Sequence, residues 1–144
     1  DYKSPGLLED KLLAAAPGGI DVYFDNVGGS VTDAVFPLLN FWARVPLCGS
    51  ISAYNADKPE MGPRLLWPLV GKRVTVRGFI VSDFAPRFEP ARKLMAAHVR
   101  AGRLKYKEDI VDGLEKAPRA FIGLLRGENF GKLQIKVGPE PKST

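Results

Sequence analysis

The sequence holds one cysteine, Cys48, and one histidine, His98, in 144 residues. A single cysteine excludes an internal disulfide and points to a reducing compartment, and one cysteine with one histidine cannot supply a Cys/His zinc site, so no metal is expected. No apolar run approaches the length that spans a bilayer, and Asp1-Tyr2-Lys3-Ser4-Pro5 has none of the regions of a signal peptide, so no membrane partner is expected. Asp1 is not read as a natural start, and a targeting segment could lie upstream of it. There is no run of five or more basic residues, no RNA-binding aromatic motif and no zinc-finger spacing. The net charge of +5 would suit an anionic partner, whether a phosphorylated cofactor, nucleic acid or an acidic surface, but its even spread reads as a solvated basic face. No nucleic-acid partner is expected. G-x-G-x-x-G, a Walker loop and H-E-x-x-H are absent, and no Ser/His/Asp grouping emerges from spacing.

What is present is an ordinary globular composition, 45% hydrophobic and 26% charged, enough for one domain to bury a core. The chain is organised around Asp21-Val22-Tyr23-Phe24-Asp25-Asn26-Val27-Gly28-Gly29. Its β-branched and aromatic residues predict a buried strand, its glycines a tight turn, and Ser30 opens a helical pattern. A strand passing through a glycine turn into a helix leaves its last residues at the carboxyl edge of an α/β sheet, where ligands bind, and this makes Asn26 the first candidate contact. The alternative is that Asp25 and Asn26 only build the turn, since both side chains bond readily to nearby backbone.

Upstream, Leu7, Leu8, Lys11, Leu12 and Ala15 or Ala16 predict a short helix ending at Pro17. Downstream, Ser30 with Asp33 three residues on resembles a capping arrangement, Ala34, Val35, Leu38 and Leu39 form a stripe, and Pro37 shortens the helix. Arg44–Cys48 reads as a second strand and Val74–Val81 as a third, with a short amphipathic segment from Arg64 to Val70 between them. The gaps are long enough for βαβ crossovers and too long for hairpins, so the strands are predicted to be parallel and to end on one ligand edge. Ala91, Leu94, Met95, His98 and Val99 mark one side of a helix ending at Gly102, with His98 packed or at its rim. A strand at 107 to 111, a helix from Pro118 to Gly127, a strand at 133 to 137 and a frayed tail from Gly138 complete the reading.

Tyr23-Phe24-Asp25-Asn26-Val27-Gly28-Gly29, Cys48-Gly49-Ser50-Ile51-Ser52-Ala53-Tyr54-Asn55 and Gly127-Glu128-Asn129-Phe130-Gly131-Lys132 occur in the order and approximate spacing of medium-chain NADP-dependent reductases. The sequence resembles in particular the prostaglandin reductase and leukotriene dehydrogenase branch, from Tyr2 to about Val137. The resemblance implies an α/β fold, the C-terminal half of a Rossmann-type parallel sheet with flanking helices. Residues 1–103 would form part of an NADP-binding domain whose first strands and glycine-rich turn precede Asp1, and 104–144 a segment that returns to the catalytic domain. It implies NADP(H) as cofactor, with contacts at Asn26, at Cys48, Gly49, Ser50, Ile51, Ser52, Ala53 and Tyr54, at Phe79, Ile80 and Val81, and at Asn129, and a further one at Tyr2 near the 2′-phosphate. Glycines 28, 29 and 49 would let backbone approach the cofactor.

The implied reaction is zinc-independent reduction of the C=C bond of an α,β-unsaturated ketone or aldehyde by a cytoplasmic enzyme. In it Tyr54 either donates a hydrogen bond to the developing enolate oxygen or packs against the ribose. Cys48 reads as a small buried residue with no base partner. The third strand, interrupted only by Arg77, would lie at a sheet margin and pair with a second copy in a homodimer. The isolated chain is expected to be inactive. The competing reading is a standalone, non-enzymatic nucleotide-binding or protein-interaction module.

Overall fold

A computed structural model describes residues 4–139, so Tyr2 and the end of the tail lie outside the described residues. The chain divides into two compact units, one ending at Pro86 and the other beginning at Arg87.

The first unit contains α1 (Leu8–Ala15), β1 (Ile20–Val22), α2 (Gly29–Val35), β2 (Leu39–Leu47), α3 (Leu66–Lys72) and β3 (Thr75–Gly78). Proline at 17 cannot continue α1, and the Ala16 N–H closes its last turn on the Leu12 carbonyl at 2.8 Å. The three strands are parallel in the order β1-β2-β3, with α2 and α3 in the crossovers, as the connection lengths require. The core gathers on the central strand. Leu39, Ala43 and Val45 of β2 pack with Val35 of α2, and Leu12, Leu69 and Val74 close around them. Leu39 and Val45 are each only 1% exposed, and burying such side chains stabilises by about 1.5–3 kcal/mol apiece.

Three expectations are corrected here. The first strand is not buried: Val22 is 51% and Phe24 58% exposed, because β1 stands at a margin of the sheet with β2 on one side only. The second strand begins five residues early, and its register steps from Ile20↔Leu39 to Val22↔Arg44, so β2 bulges outward between those pairs. Trp42, at φ 64°, and Phe41 are thrown onto the surface, where the Arg73 guanidinium lies 4.9 and 4.6 Å from their ring centres. The third strand ends at Gly78, so Phe79, Ile80 and Val81 lie beyond it. One further bond, from the Phe79 N–H to the Leu47 carbonyl at 3.2 Å, leads into a 3-10 stretch over Val81–Arg87.

The second unit contains α4 (Phe88–Arg100), β4 (Glu108–Asp112), α5 (Ala117–Leu125) and β5 (Lys132–Lys136). β4 and β5 are parallel, with α5 between them in sequence, and proline stands in the first turn of α5 as predicted. α4 ends near Gly102, where the Arg103 and Leu104 amides reach the His98 carbonyl, and His98 Nδ1 accepts from Arg103 Nε at 3.0 Å, which fits a rim position. Among the described residues no helix is long and apolar enough to cross a membrane.

Candidate functional site

The site is built outward from Asp25. Its backbone continues β1 beyond Val22: its N–H donates to the Pro46 carbonyl at 3.0 Å, and its carbonyl accepts from Cys48 at 2.7 Å and Gly49 at 3.3 Å. The ends of the first two strands are thereby zipped together. Its carboxylate, 2% exposed, turns toward α2. Oδ1 accepts the Val27 and Gly28 amides, both at 2.9 Å, and the Tyr23 hydroxyl at 3.1 Å, while Oδ2 accepts the Thr32 hydroxyl at 2.6 Å. Burial by itself would raise the Asp25 pKa, but the Thr32, Gly28, Val27 and Tyr23 hydrogen bonds together outweigh it and hold the carboxyl below its ordinary range. Tyr23 moves the other way, raised chiefly by burial and further by Asp25, against a lowering bond from Thr32.

Asp25, not the expected Ser30 and Asp33, therefore ties down the entry to α2, whose first residue is Gly29 and which has no side-chain cap of its own. Gly28 and Gly29 turn the chain at φ 71° and 55°, conformations that other residues adopt only with strain. The following loop docks on this turn through the Ile51 N–H to the Asn26 carbonyl at 3.2 Å and the Ser52 N–H to the Val27 carbonyl at 3.0 Å.

These strand ends frame a cleft of about 830 Å³, walled by Asp25, Gly28 and Gly29, by Leu47–Ser50, and by Gly78–Ile80. It lies at the carboxyl ends of all three parallel strands, the ligand edge of an open α/β sheet. Of the residues singled out from the sequence, Cys48, Gly49, Ser50, Phe79 and Ile80 line the cleft. Ile51, Ser52 and Ala53 form a single exposed 3-10 turn behind its rim. Cys48 is exposed rather than buried, because it stands one residue past the end of β2, where the sheet no longer covers it. Phe79 is fixed between Phe24 and Phe84, at ring-centre distances of 6.0 and 5.7 Å. Val81 does not line the cleft.

Asn26 and Tyr54 are not among the residues that line the cleft but stand beside it, where Asn26 Oδ1 and the Tyr54 hydroxyl both lie over the lining residue Gly49. Asn129 belongs to the second unit, where its Nδ2 donates to the Gly131 carbonyl at 2.9 Å and it lines a separate recess. The sequence reading missed the acidic part of the wall. Asp33, Glu60 and Asp83 line the cleft with Asp25, and among the described residues no lysine or arginine does. Asp33 sits one helical turn after Gly29, a spacing that could have placed it beside the cleft mouth, and Asp83 closes the strand end at 79 to 83 that the sequence puts on the ligand edge, whereas no local pattern points to Glu60.

No protein-family model matches the chain. It is 46% identical over 133 residues to the NADPH-dependent curcumin reductase of Escherichia coli (strain K12), covering 89% of this chain and 39% of that protein. It is 38% identical over 140 residues to the NADP(+)-dependent 2-alkenal reductase of Nicotiana tabacum, covering 97% and 40%. Among solved structures, the CurA protein of Vibrio vulnificus in complex with NADPH superposes with a TM-score of 0.87 at 43% identity, over 97% of this chain and 43% of that one. The chain thus spans about two fifths of the length of the curated relatives it matches.

Proposed function

Because the chain belongs to the medium-chain dehydrogenase/reductase superfamily, we propose that the protein it forms part of is an NADPH-dependent reductase of the C=C bond of α,β-unsaturated ketones or aldehydes. The observation that carries this reading is the cleft at the strand ends, with Asn26 and Tyr54 over its lining residue Gly49, side chains that have no hydrogen-bond partner among the described residues and are available to a ligand. A wall with four carboxylates and, among the described residues, no basic side chain suits the uncharged nicotinamide end of the reduced cofactor and disfavours its phosphates. On this reading the pyrophosphate is gripped by residues outside the cleft, and the isolated chain binds NADPH weakly and is inactive.

When bound, NADPH supplies a hydride to the β-carbon of the enone. That addition would shift the C=C π electrons toward the carbonyl and gather negative charge on its oxygen, the charge a donor at the rim would meet. The Tyr54 hydroxyl, on a side chain 68% exposed at the cleft rim, donates a hydrogen bond to that oxygen, and a solvent proton at the α-carbon completes the saturated product. Asn129 and Tyr2 are assigned to the cofactor by the family pattern, with residues 1–103 in the nucleotide domain and 104–144 in a segment returning to the catalytic domain of a cytoplasmic enzyme. The test is NADPH oxidation by the full-length protein across a panel of enones and enals. Loss of the nicotinamide absorbance with at least one of them is expected; no loss across the panel, with cofactor binding confirmed, would overturn the assignment.

The homodimer belongs to the same proposal. β3 is bonded only to β2, and all four of its residues are exposed, with Arg77 as its one charge, so its outer edge can take the same strand of a second copy. The Phe79 N–H, and by alternation that of Arg77, faces β2, so the outward amide is that of Val76; replacing Val76 with proline removes it, and sedimentation should then show a weaker dimer. A full-length protein that sediments as a monomer at high concentration sinks the idea.

A further inference from the structure

Glycine at 28 and 29 is explained by backbone conformation, since both positions have positive φ. Gly49 is different. Its φ is outside the positive region, and alanine could adopt its backbone without strain. What a side chain there would displace is a pair of polar atoms at the ends of two exposed side chains. A Cβ built on Gly49 would lie 2.7 Å from Asn26 Oδ1 and 2.9 Å from the Tyr54 hydroxyl, closer than real Cβ atoms approach such neighbours. Two side chains from different loops, one preceding α2 and one following β2, therefore converge over the same bare Cα at the cleft rim, and neither is held there by a hydrogen bond from the described residues.

We propose that Gly49 is a positioning residue for Tyr54: by presenting no side chain it lets the Tyr54 hydroxyl and the Asn26 amide share one point on the rim, which aims the hydroxyl into the cleft. This deepens, and rests on, the reading of Tyr54 as the donor to the enone oxygen. It also changes the reason for the glycine. Bare backbone at 49 serves the approach of two protein groups to each other, whereas the family pattern read it as room for the cofactor.

The two reasons separate in the full-length protein. Under the proposal, Gly49→Ala pushes Tyr54 off line and lowers kcat about tenfold or more, since a displacement of an ångström or less at a reacting centre is costly. The NADPH dissociation constant, read by fluorescence, stays within about twofold of the parent, the range in which independent changes leave each other alone. In the Tyr54→Phe background the nearby hydroxyl is gone, so adding Gly49→Ala lowers kcat by less than about twofold further.

A second readout needs neither cofactor nor turnover: in the apoprotein the fall in melting temperature caused by Gly49→Ala shrinks when Asn26→Ala removes the nearest atom. If Gly49→Ala does not fold, recovery of folded protein in the Asn26→Ala or Tyr54→Phe background supports the proposal, and failure to recover overturns it. Equal kcat losses in the parent and Tyr54→Phe backgrounds also overturn it, as does a rise in the NADPH dissociation constant that matches the kcat loss. Undiminished kcat in Tyr54→Phe alone overturns the reading of Tyr54 itself, whatever Gly49→Ala does, so the two failures are distinguishable.

Discussion

Asp25 is 2% exposed and its two carboxylate oxygens accept from Tyr23, Val27, Gly28 and Thr32, whereas Asn26, one peptide bond later, is exposed and its side chain has no such partner among the described residues. The same contrast separates the inner wall of the cleft from its rim. On the wall, polar groups are spent on one another and fix where β1, β2 and α2 meet. On the rim, Asn26 and Tyr54 are held near Gly49 by the course of the backbone, and their polar atoms are left over. A buried carboxylate with every oxygen engaged stores stability and offers little to a ligand, while an unpaired amide and hydroxyl contribute little stability and much recognition. Substitutions on the two sides should accordingly fail in different ways.

The largest effect on stability is expected at the wall. Asp25→Ala leaves two backbone amides and the Thr32 hydroxyl without their acceptor, and should cost about 3 kcal/mol or more, read as a lower denaturation midpoint with an unchanged slope. The effect carries a pH signature. Because the hydrogen bonds hold the folded pKa of Asp25 below its unfolded value, its contribution is complete above the unfolded carboxylate pKa of about 4 and is lost as pH falls through the lowered folded value. The stability gap between the parent and Asp25→Asn should therefore be widest near neutral pH and close toward acid. A gap independent of pH would mean that the carboxylate charge is not what the amides and Thr32 require.

The contrast also explains how far the sequence could be read. Strand, glycine turn and helix around Asp25 were legible because apolar runs, glycine pairs and helical spacing are local signals, and three strands ending alike were enough to place the cleft. The role of Asp25 was not, because the rule for a helix start looks for a side chain at the boundary. Here the positive φ of Gly28 and Gly29 lets a carboxylate from three residues before Gly28 reach the entry amides. The early start of β2 was hidden for a similar reason: Asn40 to Ala43 form a bulge, whose exposed Trp42 meets Arg73, 31 positions further along the chain at the end of α3.

Periodicity likewise identified α4 but not its burial. Leu94 and Met95, on the predicted apolar side, are 60% and 50% exposed, since a stripe records which face is apolar and not whether anything within the chain covers it. Glu60 reaches the cleft from a loop whose path only the folded chain reveals.

The smallest effect on stability is expected at the rim, and it sharpens the contrast most. Tyr54 is 68% exposed, and its hydroxyl has no hydrogen-bond partner among the described residues. Removing that oxygen should shift the unfolding free energy by no more than about 0.5 kcal/mol, the usual range for a surface change away from caps, cores and networks. The same Tyr54→Phe variant should lose about a hundredfold or more in turnover if the hydroxyl stabilises the developing enolate, the scale measured for a lost oxyanion donor, with NADPH affinity changed far less. Asp25→Ala should show the reverse pattern, failing by unfolding and retaining activity in whatever fraction stays folded. The measurement that decides is kcat normalised to folded protein, taken beside a denaturation curve for each variant. If Tyr54→Phe lowers the midpoint as Asp25→Ala does while its normalised turnover holds, the hydroxyl belongs to the wall, and the rim keeps only the Asn26 amide.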